Sequence, residues 1–521
     1  MLAERIWRMG THFPVSGSFH KGRIAVSILS GAIGATLALA AASHVLGAEA
    51  RLTTFWGLAA MFTANAIALS LGLAYGAIKG FFRRRDEVTG FMLKPALLDR
   101  AGRHLSENPP GKPGAALILC ELSALSALVR THGRAAEEQI IREASRRLAT
   151  LLPKDALAAR WGEETFVIFL PGAADPADTL SLARTITTSL AAAIETSGIK
   201  LACAPFCGIA RAPADGATVM TLFRNAELAL EQSRKEGQPG YGLFSPELAA
   251  LSKRQLAVQR AVAKALEKNS FRLDFQPIYN MRSGELTGFE ALIRLHDAEL
   301  GAIPPAEFIP IAEQGGVIVT IGEWALDEAC RIATQWPQHL VVAVNLSPVQ
   351  LLSGAIVKTI RDALERHQLP AYRLEIEITE GILLAESETV LRQLNVLRDM
   401  GVAVALDDFG TGYSSLSYLW KFPFSKLKID RSFAAALDVS PPAKGIVRAI
   451  ARLGHGLGMV VTAEGIESES QLAALREAGC DYTQGFLLGR PAHVTDLATI
   501  ILRNFANSLK RRAKKASRSA A

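Results

Sequence analysis

Between Phe271 and Pro491 lie eight apolar runs of strand length: "FRLDFQPI", "LTGFEALIRL", "LVVAVNLS", "RLEIEITE", "VAVALDDF", "KLKID", "MVVTAEGI" and "DYTQGFLLG". Segments with helical spacing separate most of them. Eight strands alternating with helices predict an α/β fold, a (β/α)8 TIM-like barrel. In that fold chemistry gathers on the rim where the strands end. Seven of the runs carry an acid, an amide or a lysine at or near that end: Glu290, Asn345, Glu377, the pair Asp407 and Asp408, Lys428, Glu464 and Gln484. Only the first run lacks one.

Five carboxylates on one rim repel one another unless cations hold them ionised, so the cluster argues for metal. Every candidate ligand is an oxygen, with no nearby cysteine and no paired histidine, which favours Mg²⁺ or Mn²⁺ over zinc or copper. Adjacent Asp407 and Asp408 can serve two ions roughly 3.5 to 4 Å apart, a geometry that cleaves phosphate esters. A phosphodiester hydrolase is the expectation.

The same residues fall in a series of motifs: Glu290-Ala291-Leu292 followed by Arg294, then "PAEFIPIAE", "VNLS", "EITE", "DDFGTGYSSL", "LKIDRSF", "AEGIE" and "QGFLLGRP". In this order they resemble the EAL-domain family of cyclic-di-GMP phosphodiesterases. The resemblance implies that Glu290, Asn345, Glu377 and Asp407 hold one ion and that Asp407 and Asp408 hold the second. It implies that Glu464 and Lys428 position and deprotonate the attacking water, and that Arg294 grips a substrate phosphate. Glu467 and Gln484 complete the pocket by the same resemblance. Glu380, three residues after Glu377, is expected to face away from the metals and to tether the 409 to 418 loop. Leu295 and His296 depart from the family, which commonly has an aromatic and a polar residue there. The expected reaction is hydrolysis of cyclic-di-GMP to 5′-pGpG. The alternative is a receptor or signalling scaffold that binds the dinucleotide without turnover.

Over the whole chain, 49% of the 521 residues are hydrophobic, more than a soluble chain of this size needs. Ile24 to Leu46 and Phe55 to Ile78 are uncharged and long enough to cross about 30 Å of hydrocarbon. Arg5, Arg8, Lys21 and Arg23 precede the first span, Lys79, Arg83, Arg84 and Arg85 follow the second, and Arg51 alone lies between. The positive-inside rule then predicts a multi-pass protein of the bacterial inner membrane with both termini and the catalytic domains cytosolic. The expected divisions are a cytosolic segment 1–23, a transmembrane hairpin 24–78, a basic juxtamembrane segment 79–85, a domain 86–245, the barrel 246–505 and a disordered basic tail 506–521 drawn to anionic lipid.

The domain at 86–245 mixes helix and strand. Its "DEVTGFMLK" and "RWGEETFVIFL" resemble the opening and the signature of GGDEF diguanylate cyclases. Gly162, Glu164 and Phe166 fit the signature, but Glu163 replaces its second glycine and Thr165 its catalytic-loop glutamate. A side chain at Glu163 blocks the close backbone approach to phosphate that glycine permits. Ser123, Val129 and Arg130 stand in other key positions, and Pro153 and Ala156 where the inhibitory product site has arginine and aspartate. The expectation is a domain inactive as a cyclase, either structural or regulatory, with GTP binding through Glu121 and Glu164 left open. A homodimer is the expected assembly. The net charge of +7 is largely accounted for by the juxtamembrane arginines and the tail, so no nucleic-acid polymer is expected as a partner. Cys120, Cys203, Cys207, Cys330 and Cys480 have no metal spacing and read as reduced core residues.

Overall fold

The structure is a computed structural model that describes residues 85–519 apart from 108–113, 124–133, 174, 197–198, 386–387 and 411–418. The apolar spans expected at 24–46 and 55–78 lie outside the described residues, as do Val129 and Arg130. Among the described residues no helix is long and apolar enough to cross a membrane. The chain divides into two compact units, Met1–Ala249 and Ala250–Ala521.

The first unit contains β1 (Ala115–Ser123), β2 (Leu157–Arg160), β3 (Thr165–Leu170), a two-stranded ribbon of β4 (Ile194–Thr196) and β5 (Ile199–Leu201), then β6 (Ala204–Ala212) and β7 (Gly240–Leu243). Its main sheet has the order β2-β3-β1-β6-β7, antiparallel except for the β6–β7 pair. Both faces of β1 are buried, which is why "AALILC" is apolar without alternation. Ile118, Cys120 and Leu122 pack with Ile140, Ala144 and Ile186 of helices Arg134–Leu151 and Pro176–Ala191. Leu117 and Leu119 pack with Leu97, Leu222 and Leu230 of helices Lys94–Glu107 and Val219–Lys235. All five cysteines are buried and free of disulfides, as expected of core residues.

The second unit begins within helix Pro246–Lys268 and contains β8 (Arg272–Asn280), β9 (Leu286–Asp297), β10 (Gly301–Ile303), β11 (Val341–Leu346), β12 (Leu374–Thr379), β13 (Ala403–Phe409), β14 (Lys426–Ile429), β15 (Val460–Ala463), β16 (Tyr482–Thr483) and β17 (Ala492–His493). Eight of these close into a barrel in the order β9-β11-β12-β13-β14-β15-β16-β8, with β8 returning to β9. All eight expected strands form, but the barrel is not uniformly parallel. β8 runs antiparallel to both neighbours, β9 and β16. The cause is local: residues 281–285 between β8 and β9 are too few for a crossover helix, and a short turn can join only antiparallel strands. This explains why the first run lacks an acid at its end. Its last residues lie on the opposite rim, while its first half, Arg272 to Gln276, reaches the rim where the other seven strands finish, with Gln276 opposite Glu290.

Outward-facing side chains of these strands pack under the surrounding helices in one core. There Trp336 meets Phe275 edge-on at 5.5 Å and Phe289 at 4.9 Å between centroids. A second correction concerns the tail expected to be disordered from 506: a single helix runs from Leu497 to Ser519. Its run of alanines, leucines, lysines and arginines has high helix propensity, which the basic composition masked.

Candidate active site

Side chains alternate across a strand, and Glu290, Asn345, Glu377, Asp407 and Lys428 turn into the barrel, as does Glu464, one residue past β15 and two beyond the inward Thr462. The parallel register sets Asn345 beside Glu377 and Lys428 beside Thr462. Lys428 is the centre of the group, only 1% exposed. Its Nζ lies 2.6 Å from Glu377 Oε2, 2.6 Å from Glu464 Oε1, 3.1 Å from Asp407 Oδ1 and 4.0 Å from Glu290 Oε2. It donates a hydrogen bond to Glu377, while Glu464 Oε1 is close but out of hydrogen-bond alignment. Glu290 accepts from Asn345 Nδ2 at 2.6 Å and from Gln484 Nε2 at 2.7 Å.

One ammonium cannot balance five carboxylates, and the titration of the group reflects this. Burial, reinforced by the charges of Glu290 and Asp407 against Lys428, pushes Glu377 well above the usual carboxylate range. Burial, partly offset by Lys428, pushes Glu464 up to about 8. Asp408 is raised by burial and by Asp407. Glu290 moves the other way: burial opposes its ionisation, but Lys428, Gln484 and Asn345 together outweigh it and lower its pKa. Lys428 is likewise disfavoured as a cation by burial, yet the surrounding acids hold it firmly protonated. With the acids alone around it, Lys428 does not show the fall in pKa that crowding by cations would bring.

Asp407 and Asp408 are neighbours, so an undistorted strand would point them to opposite faces. A register shift between Leu406 and Phe409 and a left-handed backbone at Asp408, φ 55°, break that alternation. Asp408 therefore remains electrostatically close to Asp407, Lys428 and Glu290. Glu380 stands just beyond the end of β12, at the start of a 3-10 turn rather than on the strand, and its Oε2 accepts the Gly410 N–H at 3.1 Å. That bond ties down the first residue after β13, in line with the tethering role; residues 411–418 lie outside the description. Gly485 follows Gln484 because a Cβ there would come within 2.2 Å of the Ile466 backbone.

Arg294 is on the same rim, but its Nε donates to Asp274 Oδ2 at 3.0 Å and its Nη1 to the Ile293 carbonyl. Glu467 is exposed, and its backbone N–H donates to Gln471 Oε1 at 2.8 Å beside the start of helix Glu469–Ala478. The structure adds residues that the strand ends did not suggest. Gln276 donates to the Gly489 carbonyl and accepts from Gln484 Nε2 at 3.1 Å, so it buttresses the group holding Glu290. One layer below Lys428, Lys426 Nζ lies 2.5 Å from Glu375 Oε2. The signal that could have found them is the strand period of two, since Glu375 lies two residues before Glu377 and Lys426 two before Lys428.

Among the described residues no three acids, histidines or cysteines surround a common ion position. The donor chemistry nevertheless fits hard divalent cations. The set is all oxygen, and Glu377 Oε1 is buried with no hydrogen-bond partner. Such a rim can bind cations, neutralise an anionic ester and handle a proton through Glu464.

In the first unit, the turn between β2 and β3 is closed on itself. Trp161 and Gly162 N–H groups both reach the Thr165 carbonyl, and Arg160 donates to the carbonyls of Gly162 at 3.0 Å and Glu163 at 2.9 Å. Glu121 accepts from Ser123 Oγ at 2.9 Å and faces Arg234 at 3.6 Å.

The EAL domain profile matches residues 259–491, and the profile described as "Diguanylate cyclase, GGDEF domain" matches residues 84–239. Among curated proteins, the chain is 36% identical over 408 residues to the uncharacterized protein y4lL of Sinorhizobium fredii, covering 78% of this chain and 49% of that one. It is 35% identical over 410 residues to the bifunctional diguanylate cyclase/cyclic di-GMP phosphodiesterase MucR of Pseudomonas aeruginosa, covering 78% and 60%. With the cyclic di-GMP phosphodiesterase NbdA of the same organism, identity is 31% over 431 residues, covering 82% and 55%. The chain thus spans about half the length of the curated relatives it matches. It carries a GGDEF domain followed by an EAL domain.

Proposed function

We propose that this EAL-domain protein hydrolyses cyclic-di-GMP to 5′-pGpG on the barrel rim around Lys428. The observation that carries the reading is an excess of buried carboxylate over cation, with Glu377 Oε1 left unpartnered, in an all-oxygen set. A doubly anionic substrate cannot approach such a rim until divalent cations neutralise it. Glu290, Asn345, Glu377 and Asp407 would hold one Mg²⁺ or Mn²⁺, and Asp407 with Asp408 the second. When bound, such ions make water a stronger acid and stabilise charge developing on the phosphate.

The chain's own residues do the rest. Gln276 and Gln484 fix the Glu290 carboxylate. Arg294, presented by Asp274, takes a non-bridging phosphate oxygen. Lys428 orients the attacking water, and Glu464 receives its proton once bound cations have released the one it holds in their absence. Attack joins the water oxygen to phosphorus and breaks the bond to the 3′ oxygen, which leaves as a hydroxyl by taking a proton from solvent, so that the phosphate stays on the 5′ side. The reading extends to the first unit: Glu163 and Thr165 in a turn already closed by Arg160 fit a domain that makes no cyclic-di-GMP and serves regulation, with GTP as its candidate ligand. It extends also to a two-helix anchor at 24–78 in the inner membrane, cytosolic catalytic domains and a homodimer.

The test is incubation of the full chain with cyclic-di-GMP and Mg²⁺. The expected product is 5′-pGpG, absent in Glu290→Ala. Intact dinucleotide retained on the wild-type protein with either metal would favour a receptor instead.

A further inference from the structure

A cavity of about 660 Å³ lies on the outer wall of the barrel, against β8 and β16 and between helices Glu469–Ala478 and Leu497–Ser519. None of the carboxylates around Lys428 lines it. Arg282, Arg476, Arg490 and Arg503 do, and no aspartate or glutamate accompanies them. None of these four guanidiniums has an ion pair among the described residues. Elsewhere on the same barrel Arg331, Arg366 and Arg448 each meet an acid. Four cations gathered around one hollow repel one another, and a bound anion relieves that repulsion.

A second observation comes from Thr483. Its neighbour Gln484 points into the barrel, so Thr483 faces out into the cavity wall. It is 2% exposed, and its hydroxyl has no hydrogen-bond partner. Folded proteins avoid leaving such a group unmatched. Pro277, Leu472 and Ile500 add apolar wall. The volume falls within the range of about 300 to 1,000 Å³ typical of small-molecule sites.

We propose that this groove binds a small ligand bearing phosphate groups, with the arginines forking onto phosphate oxygens and the Thr483 hydroxyl donating to the ligand. The site is separate from the phosphodiesterase reading and does not depend on it. Two sources share this chemistry, a soluble nucleotide and a phospholipid headgroup. The test titrates the EDTA-treated full chain with pyrophosphate and with GTP, and sediments it with phosphatidylglycerol or phosphatidylcholine vesicles. The expected result is pyrophosphate binding that weakens about tenfold or more in R476E/R503E and severalfold in Thr483→Val. The neutral pair R476Q/R503Q repeats the measurement should charge reversal impair folding. GTP binding that depends on Arg476 and Arg503 identifies a nucleotide. Selective sedimentation with phosphatidylglycerol, reversed by pyrophosphate, identifies a headgroup. Absence of pyrophosphate binding in the wild type, or equal binding by the folded double variants, would overturn the proposal.

Discussion

The barrel rim and the β2–β3 turn of the first unit both bear acidic residues at strand ends, yet they differ in how far their polar atoms are satisfied. In the turn, Arg160 takes the Gly162 and Glu163 carbonyls, and the Trp161 and Gly162 N–H groups close on Thr165. On the barrel side, buried oxygens of Glu375, Glu377 and Gln484 and the Thr462 hydroxyl have no hydrogen-bond partner. Among the described residues the first unit contributes one such atom, Arg211 Nε. A closed network has little left to offer a ligand, whereas a buried and unbalanced one is stabilised by whatever completes it.

The largest effect that could break this contrast is loss of chemistry at the unpartnered acid. Glu377→Gln should lower phosphodiester hydrolysis by about 10³-fold, the scale of removing one preorganised electrostatic stabiliser. Product chromatography would measure it, and a tenfold loss or less would mean the oxygen is dispensable. Next comes the cation. Lys428→Met removes the one cation paired with Glu377 among the described residues and should destabilise the metal-free barrel by about 3–5 kcal/mol. Thermal unfolding would register this, with Mn²⁺ recovering part of the loss.

A pH effect sharpens the same point. Glu464 is raised from 4.5 to about 8 in the folded chain. A group raised on folding contributes stability that is fully present below its unfolded pKa and is lost as pH rises through its folded one. The metal-free barrel should therefore lose stability between about pH 4.5 and pH 8. Binding of Mn²⁺ at pH 7 should release protons, seen as a buffer-dependent heat in titration calorimetry, and the release should fade above pH 9. The smallest effect belongs to the satisfied turn. Arg160→Ala should cost about 1 kcal/mol of stability and leave hydrolysis unchanged.

Much of this was legible in the sequence because a strand's period of two fixes which residues share a face. All eight barrel strands were located, and Glu290, Asn345, Glu377, Asp407, Asp408, Lys428, Glu464 and Gln484 were expected on one rim. Arg294 illustrates the limit. A motif gives position along the chain, but where a side chain points depends also on a competing partner such as Asp274. The reversal of β8 was encoded in the short 281–285 connection, a matter of loop length rather than of hydrophobic pattern. Gln276 was missed for the same reason: on a parallel strand it would have stood far from the catalytic rim.

The most direct measurement of the central claim is Mn²⁺ binding to the full chain, followed by electron paramagnetic resonance, in the wild type, Glu377→Gln and Arg160→Ala. The account predicts tight binding in the wild type and Arg160→Ala, and loss of at least one ion in Glu377→Gln. Equal Mn²⁺ binding by Glu377→Gln and the wild type would contradict it.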